Sequence, residues 1–152
     1  MQIISGSLFF APSDLITYME SALATHMERQ RLTDKEIKNL MDPEDPMLVT
    51  LRRKGYAHED AYLESLKAQR KNVVEIGDAS KDVMLSQTRD AMSGGAEIIA
   101  QAYLKLDNFG GMADFLVKVP GASRLGDYHY EIWDTKLSKK MKPYFAIQLC
   151  CY

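Results

Sequence analysis

Cysteine is almost absent from this chain: 152 residues hold only Cys150 and Cys151, side by side. Adjacent cysteines are badly placed to bridge one another in a helix, so no disulfide framework is expected and a reducing cytoplasm is the natural compartment. Excess charge of one sign is missing too. With 19 Lys and Arg against 21 Asp and Glu, a net charge of −2 and a pI near 5.9, the bulk electrostatics do not announce a nucleic-acid binder, and any such site must be local. The opening Met-Gln-Ile-Ile-Ser-Gly lacks a basic n-region and a long apolar core, and no apolar run approaches a membrane span. Neither a signal peptide nor a membrane partner is expected. Repeats and low-complexity tracts are absent.

What is present fits one domain over residues 1–152, long enough to bury a real core. Pro12-Ser13-Asp14 reads as a helix entry, and Leu15, Tyr18, Met19, Ala22, Leu23, His26 and Met27 keep the spacing of one buried stripe. Residues 33–46 read as polar, with Asp42-Pro43-Glu44-Asp45-Pro46 making a loop. Asp45 and Pro46 then suit the cap and first turn of a second helix, running to about residue 70 through Leu48, Leu51, Ala57, Ala61, Tyr62 and Leu66. A short strand over 73–76 and a helix over 78–92 follow. Strands are expected over 97–104, 111–119 and 128–137, joined by a turn at 107–111 and a connection at 120–123. Pro143 opens a last helix. The fold class is α+β (α/β), a mixed central sheet with an antiparallel meander flanked by helices. The chain stops at Tyr152 inside an apolar helical segment with no terminating residue, so an N-terminal fragment truncated within its last helix is expected.

The chemistry concentrates near the end. Side chains alternate faces along a strand, so Asp134 and Lys136 project to the same side, while Trp133 and Thr135 point away. Asp114 stands in an otherwise apolar run beside Phe115-Leu116-Val117, where a charged side chain needs a partner. Two carboxylates and an ammonium on neighbouring strands suit metal-assisted phosphodiester cleavage. A hard ion such as Mg²⁺ takes oxygen ligands and keeps several waters, so Asp114 and Asp134 suffice as side-chain ligands. Lys136 would position the nucleophile and offset developing negative charge. Glu131, three residues from Asp134, falls on the opposite face. Basic clusters at Arg52-Arg53-Lys54 and Arg70-Lys71 read as solvated faces, whereas Lys136, Lys139, Lys140 and Lys142 adjoin the candidate centre. His26 and His129 read as structural.

The order of Phe9-Phe10-Ala11-Pro12-Ser13-Asp14-Leu15, Gly55-Tyr56-Ala57-His58-Glu59, Gly111-Met112-Ala113-Asp114, Trp133-Asp134-Thr135-Lys136 and Gln148-Leu149-Cys150-Cys151-Tyr152 resembles the RecB-like branch of the PD-(D/E)xK nucleases. The AddB, RecB and CRISPR-associated exonucleases belong to that branch, and the resemblance covers nearly the whole chain. It implies a restriction-endonuclease-like core and a Mg²⁺- or Mn²⁺-dependent deoxyribonuclease, exonucleolytic on single strands or ends, in DNA repair or processing. It also implies that catalysis rests on Asp114, Asp134 and Lys136. His58 would add a nitrogen ligand and the Thr135 carbonyl an oxygen, while Gln148 and Tyr152 hold the DNA strand. Glu59 would be an outer acid or a solvated neighbour. A C-terminal helicase or ribonuclease H-like domain is the implied covalent partner. Relatives with an iron-sulfur cluster use four cysteines, one of them upstream; this chain has none upstream, so no cluster is expected. Two other readings fit the same residues: a non-catalytic nucleic-acid-binding or docking module of a larger helicase-nuclease, and an unrelated α+β interaction domain whose charges are solvated.

Overall fold

The computed structural model describes residues 1–69 and 72–152. Gln2–Ile4 (β1) and Ser7–Phe9 (β2) form an antiparallel hairpin that was not expected, turned by Ser5 and Gly6 at φ 50° and 79°. Two successive positive φ angles give the backbone twist that a two-residue hairpin needs. Pro12–Glu20 (α1) and Ala22–Gln30 (α2) replace the single first helix. Between them Ser21 is extended, and its Oγ accepts the Ala24 amide at 3.1 Å to cap α2. That break resets the angular phase of the helix, so positions spaced for one continuous stripe do not share a face. Tyr18, Met19 and Leu23 are exposed, Leu23 to 70%.

Within the polar segment 33–46, ahead of the expected loop at 42–46, a short helix forms, Lys35–Asn39 (α3), because the Asp34 carboxylate accepts the Glu36 amide at its start. Pro46–Gln69 (α4) begins where Asp45 and Pro46 place it, with Asp45 accepting the Met47 amide at 2.8 Å. Only its second half packs on the sheet, through Tyr62, Leu63 and Leu66. Leu48 and Leu51, expected on the buried face, are exposed. The Arg70-Lys71 pair lies outside the described residues.

Four strands make the main sheet, in the order Val73–Glu75 (β3), Ile98–Leu106 (β4), Phe109–Ser123 (β5) and Gly126–Trp133 (β6). β3 runs parallel to β4 and reaches it through Lys81–Ser93 (α5), while β4, β5 and β6 form the antiparallel meander. Pro143–Cys150 (α6) packs beside α1. The fold is thus α+β, a mixed central sheet flanked by helices. Period-two alternation sorts the core into two layers. Ile98, Ala100, Phe115 and Val117 face α4, whereas Ile99 and Leu116 pack with Ile76 and Met84 on the α5 side. Among the described residues no helix is long and apolar enough to cross a membrane.

Two strand ends differ from expectation. β5 continues through Pro120, expected in a connection, because β4 begins opposite Val117 and leaves that side of β5 open; a residue without an N–H is tolerated there. β6 ends at Trp133, so Asp134, Thr135 and Lys136 leave the ladder instead of continuing it.

β3 covers only Ile98–Ala100 of its neighbour, so the Tyr103 amide finds its acceptor elsewhere: the Oγ1 of fully buried Thr88 on α5, at 3.1 Å. Thr88→Val keeps the shape and strands that amide, and urea unfolding should register a loss of about 1–3 kcal/mol with an unchanged m-value.

Candidate functional site

The last rung of the β5–β6 ladder pairs Phe115 with Trp133, and one further step in the same register sets Asp114 beside Asp134. Asp114 is partly buried, next to fully buried Phe115. Its Oδ2 accepts the Thr135 amide at 2.9 Å and the Thr135 hydroxyl at 3.3 Å. Asp134 has a side chain only 6% exposed, with Lys136 Nζ 2.5 Å from its Oδ2. The Asp134–Lys136 pairing expected of a strand therefore forms, although the segment is no longer one. It is Thr135's donors that the structure turns toward Asp114.

Two carboxyls this close and this dry resist being ionised together. Burial pushes the Asp114 carboxyl up to about 7, against the Thr135 amide that favours its anion; a hydrogen bond to Asp134 and the charges of Asp134 and Glu59 push the same way as burial. The two carboxyls lie within hydrogen-bonding reach of each other. Glu59, half-buried on α4, is also raised, chiefly by burial and further by Asp60 and Asp134; its bond from Gln101 and the charge of Lys136 oppose this.

Glu59 enters because of an irregularity in β4. The β4–β5 register pairs Ala100 with Phe115 and Ala102 with Ala113 but skips Gln101 and Asp114. Gln101 has φ 56°, a left-handed conformation that is unusual for a side-chain-bearing residue inside a strand. The twist breaks the alternation: Ala100 faces α4, while Ala102 and Tyr103 both pack on the α5 side. Gln101 Nε2 donates to Glu59 Oε1.

His58, one residue earlier on α4, is exposed. The charges acting on Asp114 come from Asp134 and Glu59. Among the described residues no group of three or more His, Cys, Asp or Glu side chains converges closely enough to hold a metal ion. Glu59 had a legible signal, since it lies three and seven residues before Tyr62 and Leu66 on the one stripe of α4 that packs. Gln101 is the one strongly polar side chain between Ile98 and Leu104.

Tyr152 lies past the end of α6, not on its face as expected, yet its ring comes back to the site. Its hydroxyl donates to the Met112 carbonyl at 2.6 Å. Burial raises the Tyr152 phenol; a hydrogen bond with Gln148 opposes that, and the charges on Asp134 and Asp114 add to it. Gly111 makes room, since a Cβ there would stand 3.2 Å from the Tyr152 hydroxyl and 3.0 Å from Pro12 Cδ. Tyr152 therefore meets β5 at Gly111 and Met112, shortly before Asp114. Cys150 and Cys151 are free thiols.

The donor chemistry fits a hard divalent cation held by two carboxylates plus water. Asp114 and Asp134 offer desolvated oxygens in mutual contact, and a cation would take the place of the proton between them. Comparison with models of known protein families, with characterised proteins and with solved structures finds no match.

The raised Asp114 carboxyl fixes a sign for stability. Its folded value lies above the unfolded one, so the native state keeps a proton that the unfolded chain has already released. Stability from this group falls as pH rises from about 4 to about 7, and the penalty is complete above that window. Asp114→Asn removes the penalty. In metal-free urea titrations the variant should gain on the parent chain at about pH 8 relative to about pH 5; a difference independent of pH would contradict the shift.

Proposed function

We propose that this chain is a divalent-metal-dependent nuclease domain of the RecB-like PD-(D/E)xK kind, hydrolysing DNA phosphodiester bonds on single strands or ends. The observation that carries the reading is the convergence of Asp114, Asp134 and Lys136: two desolvated carboxyls in contact, with an ammonium 2.5 Å from one of them. A bound Mg²⁺ or Mn²⁺ would neutralise phosphate charge and lower the pKa of a water. Asp114 and Asp134 would hold it, with Glu59 near enough to add to the negative field.

The chain's own residues do the rest. Lys136 stands at the mouth of the site, about one-third exposed, where its charge orients an incoming phosphate and offsets the negative charge that builds during in-line attack. Thr135 fixes the Asp114 carboxylate through two donors, so the ligand oxygens are held in place before substrate arrives. Gln148 and Tyr152 frame the approach from α6, with Tyr152 anchored on β5. Asp134-Thr135-Lys136 arranged around Asp114 also weighs against a module whose charges are merely solvated, because Asp134 is almost wholly removed from water.

With Mn²⁺ or Mg²⁺ the protein should degrade single-stranded DNA. Asp134→Ala, Asp114→Ala and Lys136→Ala should each lower the rate by about 100-fold or more. Mn²⁺ should also raise the melting temperature of the parent chain at neutral pH, and not that of Asp134→Ala. Hydrolysis unaffected by all three substitutions would refute the assignment.

A further inference from the structure

From Thr135 to Tyr152 the chain carries four lysines and no aspartate or glutamate, although its net charge is −2. Lys136 is committed to Asp134, whereas Lys139, Lys140 and Lys142 are exposed, and among the described residues none of the three forms an ion pair. Their loop is folded on itself. Ser138 Oγ donates to the Lys140 carbonyl at 2.8 Å and accepts the Lys140 amide at 3.3 Å. Between this loop and α6 runs a groove of about 220 Å³ that starts at Asp134 and Lys136. Lys139 and Lys140 line one side, and Met141, Phe145 and Leu149 give it an apolar floor. The Lys136 ammonium lies 5.8 Å from the centre of the Phe145 ring.

A track of unpaired ammonium groups over an apolar, aromatic floor matches the two faces of a single polynucleotide strand, which are regularly spaced phosphates on one side and sugars and bases on the other. Lysine is a point charge that neutralises phosphate without reading base edges, so such a track is indifferent to sequence. We propose that this groove seats the sugar-phosphate backbone of one strand next to the bond at Asp134 and Lys136, with Lys139, Lys140 and Lys142 neutralising neighbouring phosphates and Phe145 receiving a base or sugar. Which phosphate is cut rests on the nuclease reading; the binding itself does not.

The test is fluorescence anisotropy of labelled oligothymidylate and oligouridylate in EDTA, across a salt series, with Lys139→Glu/Lys140→Glu set against Lys35→Glu/Lys38→Glu on α3. The groove variant should bind about 10-fold or more weakly, and its salt slope should shrink by about 0.7 for each phosphate it no longer neutralises. The α3 variant, with the same change in charge, should bind as the parent does. The two oligonucleotides, run in parallel, separate a deoxyribose from a ribose backbone, and weakened binding of either by the groove variant supports the site. Unchanged binding of both, or an equal loss in the α3 variant, overturns it. If the parent binds strands through these lysines yet cleaves no diester, the groove stands and the nuclease reading falls. If the groove variant degrades oligonucleotides as fast as the parent, the groove falls and the nuclease reading stands.

Discussion

The bond between the Thr135 amide and the Asp114 carboxylate organises this end of the molecule. Removing a carboxylate from water is unfavourable unless donors replace the lost hydration. Asp114 lies beside the most deeply buried aromatic residue of the sheet, and Thr135 supplies two such donors. Because those donors sit just beyond the end of β6, satisfying Asp114 draws the departing chain back across β5. That single turn of direction presents Asp134 to Asp114, sets Lys136 over Asp134, and delivers the lysine loop alongside α6.

The remaining groups close around the same point from two other directions. α4 contributes Glu59, steered by a strand residue in an unusual backbone state. The segment after α6 contributes Tyr152, which packs closely against glycine at 111 in β5. Negative charge is thus gathered in the interior of the site, while the chain from Thr135 to Tyr152 carries four lysines and no acidic residue. An anionic polymer approaching the site meets attraction along that segment and repulsion from the carboxyls themselves unless a cation intervenes.

Much of this arrangement was legible in the sequence. The apolar-rich runs within Ile98–Leu106 and Phe109–Ser123, separated by Asp107-Asn108, mark the first two strands of the meander, and Asp45-Pro46 marks the start of α4. Asp114, Asp134 and Lys136 stand out in the sequence by residue type and spacing, and the structure brings their side chains close together. Other features depend on tertiary context. The break at Ser21 follows from a local cap competing with helix continuation. The persistence of β5 through Pro120 depends on where a neighbouring strand begins. His58 and Glu59 are adjacent on a helix, and only the packing of Tyr62 and Leu66 decides which of the two turns inward.

Gln101 shows what the centre asks of the scaffold. A side-chain-bearing residue in the left-handed region inside a strand costs about 1–3 kcal/mol relative to relaxed geometry. Glycine would relieve the backbone there but would remove the carboxamide that aims Glu59. Heat resistance and the orientation of an acidic side chain are therefore set against each other at one position.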